Sequence, residues 1–206
     1  MMDKQSLRQT KKKATAHALA DAAFELALDR GLDGFTIDDI VKRAVYSRRT
    51  FANHFSCKEE AVATAALTFE GTQEVEELLA DISENSPLLD ILYRLMKTQH
   101  TANHFWKMRK LVLLSEQNPT LIPYILSAFN QLKVSTQQVL SELSHEQYSD
   151  VYIHLLTGAF YGAVLPLYDG SLNVLLSNES ASGSPNAITY DQYLDTIFNF
   201  LRNGFY

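Results

Sequence analysis

Residues 36–60 contain two short helical patterns separated by a break, and no other feature restricts the fold of this chain as much. The first pattern places three aliphatic side chains on one helix face, the spacing of a buried stripe: Ile37, Ile40 and Val41. Residues 44–46 interrupt it, and Ser47 can then cap a second helix over residues 48–53. Two helices joined by a turn of three or four residues form a helix-turn-helix unit.

The second of these helices has two kinds of side chain. Phe51 and, at its end, Phe55 are apolar and are expected to be buried. The polar side chains left for the other faces are Arg48, Arg49, Thr50, Asn53 and His54. A helix that exposes Arg, Thr, Asn and His suits entry into a DNA major groove. The sequence therefore predicts a DNA-reading helix.

The same stretch resembles the TetR-type family of one-component transcriptional regulators. The residues that match the family pattern at its own spacing are Thr36, Ile40, Ala44, Ser47, Thr50, Phe51, His54, Phe55, Lys58 and Glu59. The match follows a basic amphipathic helix near the N-terminus, as in that family. The resemblance implies an N-terminal three-helix helix-turn-helix domain over residues 1–57 and a helical ligand-binding and dimerisation domain over residues 58–206.

Four positions depart from the family pattern. Val45 stands where the family has a turn glycine, so the turn either has a negative φ or is strained, because β-branched residues tolerate positive φ poorly. Ala52 stands where many relatives have an aromatic residue that contacts a DNA phosphate. Val41 replaces a small alanine, and Cys57 replaces the serine before Lys58. The turn geometry and one phosphate contact are therefore open.

The charge of the chain is unevenly distributed. Its net charge is −6, yet residues 1–60 hold 11 Lys/Arg against 9 Asp/Glu, whereas residues 61–206 hold 7 against 15. The N-terminal cations are Lys4, Arg8, Lys11, Lys12, Lys13, Arg48, Arg49 and Lys58. A local basic face is sufficient for binding a polyanion, since charged contacts act within a Debye length of ~8–10 Å.

Apolar periodicity predicts an all-α protein of nine or ten helices, without alternating strand patterns or a fixed repeat. Gly31 should end a first helix over residues 12–30, and a long helix should run from Lys58 to about residue 82. The other predicted helices cover residues 87–104, 105–117, 120–143, 145–168 and 190–202, with a polar connector over Gly170–Thr189. A single cysteine fits a reducing cytoplasm. No stretch approaches the roughly 20 uninterrupted apolar residues of a membrane helix, so no membrane partner is expected.

The resemblance and the exposed polar face together assign the candidate DNA-binding residues. Arg48 and Arg49 would touch bases or phosphates, while Thr36 and Lys58, at helix starts, would position the DNA backbone. The full predicted set is Thr36, Ser47, Arg48, Arg49, Thr50, Asn53, His54 and Lys58.

Large adaptable side chains near residues 96–113 suit an apolar ligand pocket and suit an ordinary core equally well. The resemblance implies a pocket, with candidate ligand-binding residues Met96, His100, Trp106, Phe129, Tyr152 and Tyr161. His100 and His104 are four residues apart and could face one metal, but no third ligand is near in sequence. We therefore expect no metal or cofactor, and the absence of phosphate-loop, nucleophile-elbow and paired-cysteine motifs argues against an enzyme.

The leading interpretation is a cytoplasmic homodimeric regulator, a repressor released from double-stranded operator DNA by a small apolar or aromatic effector. The dimer is predicted to form from the helices at about 145–168 and 190–202. The first is apolar over a wide arc, with Gly158 and Gly162 allowing close approach. The second adds Ile197, Phe198, Phe200 and Leu201. The alternative is a TetR-like helical interaction protein that has lost specific DNA binding, which Val45 and Ala52 favour.

Overall fold

Almost all of the described chain is helical, which confirms the predicted all-α fold. The computed structural model describes residues 4–67, 77–78, 80–83, 86–99, 101–144, 146–168, 171–172, 174–175 and 188–204. Within these ranges lie nine α-helices: α1 Lys4–Arg30, α2 Ile37–Ala44, α3 Arg48–Ala52, α4 Lys58–Leu67, α5 Leu88–Gln99, α6 Ala102–Gln117, α7 Ile122–Leu143, α8 Asp150–Tyr168 and α9 Tyr190–Asn203. Two 3₁₀ turns cover Leu32–Gly34 and Pro119–Leu121.

Helix ends follow local signals where the sequence has them. The Gly31 N–H donates to the Ala27 carbonyl at 3.0 Å with a φ of 71°, so the predicted glycine stop of α1 is confirmed. α1 begins at Lys4, earlier than predicted, because Lys, Gln and Arg in its first turns are good helix formers. The predicted helix from Lys58 to residue 82 is described as α4 and as helical residues 77–78 and 80; residues 68–76 lie outside the described part of the chain.

One pair of very short strands was not predicted. β1 (Val174–Leu175) pairs in parallel with β2 (Ile188–Thr189), inside the segment predicted to be a polar connector. Two residues are too few to show an alternating pattern, so sequence periodicity had no signal to detect. Residues 176–187 of the same connector lie outside the described part.

One compact unit comprises Met1–Thr68 and Lys110–Phe129. In it α1 packs against α2 and α4, and α2 packs against α3. Both α1 and α4 bury small side chains, which allow close helix approach: Ala20, Ala23, Ala27, Ala61, Ala65 and Ala66. Larger side chains complete this core: Leu19, Phe24, Leu26, Ile40, Phe51, Phe55 and Val62. This core fixes the positions of α2 and α3.

The other compact unit comprises Phe69–Arg109 and Asn130–Tyr206. Its core brings the ring of Phe198 in α9 to 5.0 Å from Tyr93 in α5 and to 5.6 Å from Phe160 in α8. The Tyr93 hydroxyl donates to Asp195 at 2.5 Å. Aromatic packing and polar contacts therefore hold α5 and α9 together. The functional boundary predicted between residues 57 and 58 stays a prediction, and by packing α4 belongs to the first unit.

α8 is unusually apolar. Among the described helices it alone, over Asp150–Leu167, is long and apolar enough to cross a membrane, and 39% of that stretch is buried within the protein. Core helices of soluble proteins have the same length and composition. The expectation of no membrane partner remains an expectation.

Candidate nucleic-acid interface

The start of α2 is fixed by reciprocal hydrogen bonds. The backbone N–H and the hydroxyl of Thr36 donate to Asp39 Oδ2 at 2.8 and 2.7 Å. These bonds lower the pKa of Asp39, and the bond from the Thr36 side chain has the larger effect. Ile40 and Val41 lie on the buried face of α2. Thr36, predicted to position the DNA backbone, therefore first serves to cap α2.

The turn between α2 and α3 uses the left-handed conformation. Val45 has φ 59° and ψ 44°, and the N–H of Tyr46 donates to the Val41 carbonyl at 2.8 Å. Of the two possibilities left open by the sequence, the structure shows positive φ. The conformation is costly for a β-branched residue, by about 1–3 kcal/mol. With 86% of Val45 exposed, burial of its side chain offers little compensation.

Replacing Val45 with glycine should stabilise the first unit by about 1 kcal/mol, because relief of ~1–3 kcal/mol of strain exceeds a glycine entropy cost of ~0.5–1 kcal/mol. Urea unfolding followed by circular dichroism measures the change. Val45→Ala keeps a Cβ and should gain less. A glycine variant less stable than the wild type would show that the turn is not strained.

α3 is oriented by a cap at one end and by aromatic anchors beneath it. Ser47 Oγ accepts the Thr50 N–H at 3.0 Å and lies 2.8 Å from the Thr50 hydroxyl. Phe51 and Phe55 are buried, with ring centroids 5.6 Å apart. The predicted roles of Ser47 and Thr50 at DNA remain predictions, and both hydroxyls already serve the cap.

The exposed side of α3 carries Arg48, Arg49 and, just after it, Asn53. Arg48 forms two hydrogen bonds to Asp38 in the first turn of α2: Nη2 donates to Oδ2 at 2.6 Å, and Nε donates to Oδ1. This contact lowers the pKa of the Asp38 carboxyl and raises the pKa of Arg48. Within the described part of the chain, Arg49 forms no salt bridge and is exposed.

Two predicted contact residues are partly used by the protein itself. His54 is half-buried, with its ring 6.3 Å from that of Phe55. Its burial, and to a smaller extent the charge of Lys12, lower the pKa of His54. Lys58 Nζ donates to the carbonyls of Leu32 at 2.6 Å and Phe35 at 3.2 Å. Lys58 therefore ties α4 to the preceding 3₁₀ turn, and one of its three hydrogens is left for a phosphate.

Asp38 was missed by sequence reasoning, because a carboxylate has the wrong charge for a DNA contact. The available signal was its place in the first turn of α2, ten residues before Arg48. Tyr46, 40% exposed in the turn, and the exposed Lys42 were missed as well. Their positions within the helix-turn-helix unit were the only indication.

The candidate ligand-binding residues do not form one described site. Met96 and Tyr161 are buried, and Tyr161 lies within hydrogen-bonding distance of Thr136, with 2.8 Å between their hydroxyl oxygens; burial raises the Tyr161 pKa to about 12. Trp106 and Tyr152 are 42% and 41% exposed. Phe129 is half-buried in the first unit, and His100 lies outside the described residues.

Two cavities of the second unit lie elsewhere. One, of about 250 Å³, lies between α7 and α8 and is lined by Gln137, Gln138, Ser141, Asp150, Ile153 and His154. The other, of about 230 Å³, lies between α8 and α9 and is lined by Ala159, Ala163, Tyr193, Thr196, Ile197, Phe200 and Leu201. None of the five candidates that the structure describes lines either cavity. Nor do three His, Cys, Asp or Glu side chains cluster as metal ligands within the described ranges.

Comparison with known proteins finds a family similarity in the N-terminal region. Residues 19–64 match a family model described as bacterial regulatory proteins, tetR family. The match covers the C-terminal part of α1, all of α2 and α3, and most of α4. A crystal structure described as that of a TetR-family transcriptional regulator from Mesorhizobium loti is 16% identical, with 91% of this chain and 95% of that chain covered and a TM-score of 0.48. No curated protein matches the chain.

Proposed function

We propose that the protein is a homodimeric transcriptional repressor released from its operator by a small apolar or aromatic molecule, because residues 19–64 match the model of the tetR family of bacterial regulatory proteins. The observation that carries the proposal is α3, which is capped by Ser47, anchored by Phe51 and exposes two arginines. That combination fits a helix held rigidly and directed into a major groove. The proposal includes no catalytic step.

Dimerisation is supported by an unpaired apolar stripe on α8. Five small or aliphatic residues are exposed at alternating spacings of four and three, and they define the α8 stripe: Val151, Leu155, Gly158, Gly162 and Leu165. That spacing is the repeat of paired helices, and an exposed apolar surface of this kind is an aggregation liability until a partner covers it. A second copy, related by a two-fold axis, would cover the stripe and duplicate α3 for two half-sites.

Part of the predicted dimer surface was assigned wrongly. Ile197 and Phe198, expected to add to an exposed face of α9, are buried in their own unit, as is Phe160 of α8. The ring of Phe198 contacts those of Tyr93 in α5 and Phe160 in α8. Phe200 is 39% exposed and lines the groove between α8 and α9.

The proposed effector response is supported by the family similarity and by a buried polar pair. The hydroxyls of Thr136 and Tyr161 face each other 2.8 Å apart in the interior of the second unit. A few such polar groups within apolar surroundings orient ligands in small-molecule sites. An effector that binds one arrangement of the dimer better than the other would shift the separation of the two α3 helices and lower operator affinity. A ligand contacting Met96 and Tyr161 would enter by opening this packing.

Selection of random duplex DNA by the purified protein, followed by gel-shift titration, tests the proposed function. We expect a palindromic sequence whose half-sites lie about 34–36 Å apart, bound by two chains. The TetR-like interaction protein instead predicts no enriched sequence. Val45 no longer supports that alternative, because it adopts the conformation that a turn glycine would adopt. Ala52, exposed on α3, is the feature that still favours it.

A further inference from the structure

We propose that Asp38 is a positioning residue for base recognition: it holds one edge of the Arg48 guanidinium and leaves the other edge to read a guanine. This inference rests on the proposed operator binding. It assigns a specificity role to an acidic residue on a surface that must approach a polyanion.

The contact leaves a defined part of Arg48 available. Asp38 accepts hydrogen bonds from Nε and Nη2, which form the side edge of the guanidinium. The remaining edge, formed by Nη1 and the second hydrogen of Nη2, has two parallel donors. Two parallel donors match the O6 and N7 acceptors of guanine in the major groove, the commonest specific arginine contact. Held in this way, Arg48 is fixed in the geometry for bidentate recognition.

Both ends of the contact stand on fixed backbone. Asp38 lies between Thr36 and Asp39, whose mutual hydrogen bonds fix the first turn of α2. Arg48 is the first residue of α3, directly after the cap formed by Ser47. A carboxylate anchored on one helix start can therefore restrict a long arginine side chain on the other. Restriction before binding reduces the conformational entropy lost on DNA.

Stabilisation of the fold does not explain this pair. The side chains of Arg48 and Asp38 are 68% and 62% exposed, and exposed ion pairs add little to folding stability. The carboxylate instead disfavours a phosphate next to Arg48 through like-charge repulsion, which leaves the bases as its targets. Arg49, exposed and outside such a pair in the described chain, is the better candidate for a phosphate contact.

The test compares base discrimination in matched variants. The wild type first selects its operator, and affinities are then measured for that operator and for a copy in which each selected guanine is changed to adenine. Where Arg48 reads the guanine, the wild type should lose ~10-fold in affinity on the change. In Asp38→Ala, the ratio of the affinities for the guanine and adenine operators should fall most of the way to one. Its affinity for unrelated DNA should stay the same or rise. Asp38→Asn keeps one acceptor oxygen and loses the charge, so its affinity ratio should lie between those of the wild type and Asp38→Ala.

Controls distinguish the possible failures. Asp33→Ala removes the same charge from an exposed site in the first unit and should discriminate like the wild type. Full discrimination by Asp38→Ala, or by Arg48→Ala, overturns the inference. Equal loss on both DNAs with a lowered Tm marks a merely structural role and overturns it too. A wild type that selects no sequence overturns the proposed function itself, whereas a selective wild type with an equally selective Asp38→Ala variant overturns only the role of Asp38.

Discussion

Replacing Leu155 with aspartate should convert the proposed dimer to a monomer and abolish the proposed operator binding at micromolar concentration. Leu155 is 66% exposed within the α8 stripe, where a two-fold axis would bring two copies together. Burying one leucine side chain contributes roughly 1.5–3 kcal/mol, and symmetry doubles the loss. The substitution also places two carboxylates in a desolvated contact. Dimer affinity should therefore fall by at least about a hundredfold.

Light scattering measures this directly. The wild type should show about twice the 23.3 kDa chain mass, and Leu155→Asp should show a single chain mass. Leu126→Asp is the matched control, since Leu126 is 64% exposed on α7 outside the α8 stripe, and that variant should remain dimeric. A dimeric Leu155→Asp protein would exclude the α8 stripe as the interface. A monomeric wild type would remove the dimeric repressor mechanism as well.

Local patterns in the sequence were enough to find the helix-turn-helix unit. The stop at Gly31, the cap at Ser47 and the buried position of Phe51 depend on neighbours within a few residues, and all three are confirmed. Those signals also fixed the order of α1, α2 and α3. For Val45 the sequence left two possibilities, a negative φ or a strained turn with positive φ. The strain of positive φ disfavours the second and the need for a turn favours it, and the structure has the second.

Contacts between distant residues could not be predicted in the same way. α8 is apolar on nearly every face, so periodicity could not distinguish Phe160, which the structure buries, from Leu155, which it exposes. The Asp38–Arg48 pair depends on how two helix starts meet. The same limit explains the ligand candidates: Met96 and Trp106 are equally apolar in sequence, yet one is buried and the other is 42% exposed.

The double variant Arg48→Ala/Arg49→Ala should lose operator affinity by about a hundredfold or more while folding normally. Both side chains are exposed at the start of α3, and a dimer presents four of these arginines to one operator. Alanine favours helix, so α3 should form in the variant. Each lost phosphate contact should also reduce the slope of log affinity against log salt by ~0.9.

Gel-shift titration at several salt concentrations separates the two effects. The control is Arg94→Ala/Lys133→Ala, which removes the same charge from α5 and α7 in the second unit and should bind the operator like the wild type. A loss of operator affinity together with a smaller slope of log affinity against log salt would support base recognition by one arginine and a phosphate contact by the other. Unchanged operator affinity in the Arg48/Arg49 variant would show that α3 is not the recognition helix, because the variant removes both exposed arginines from that helix.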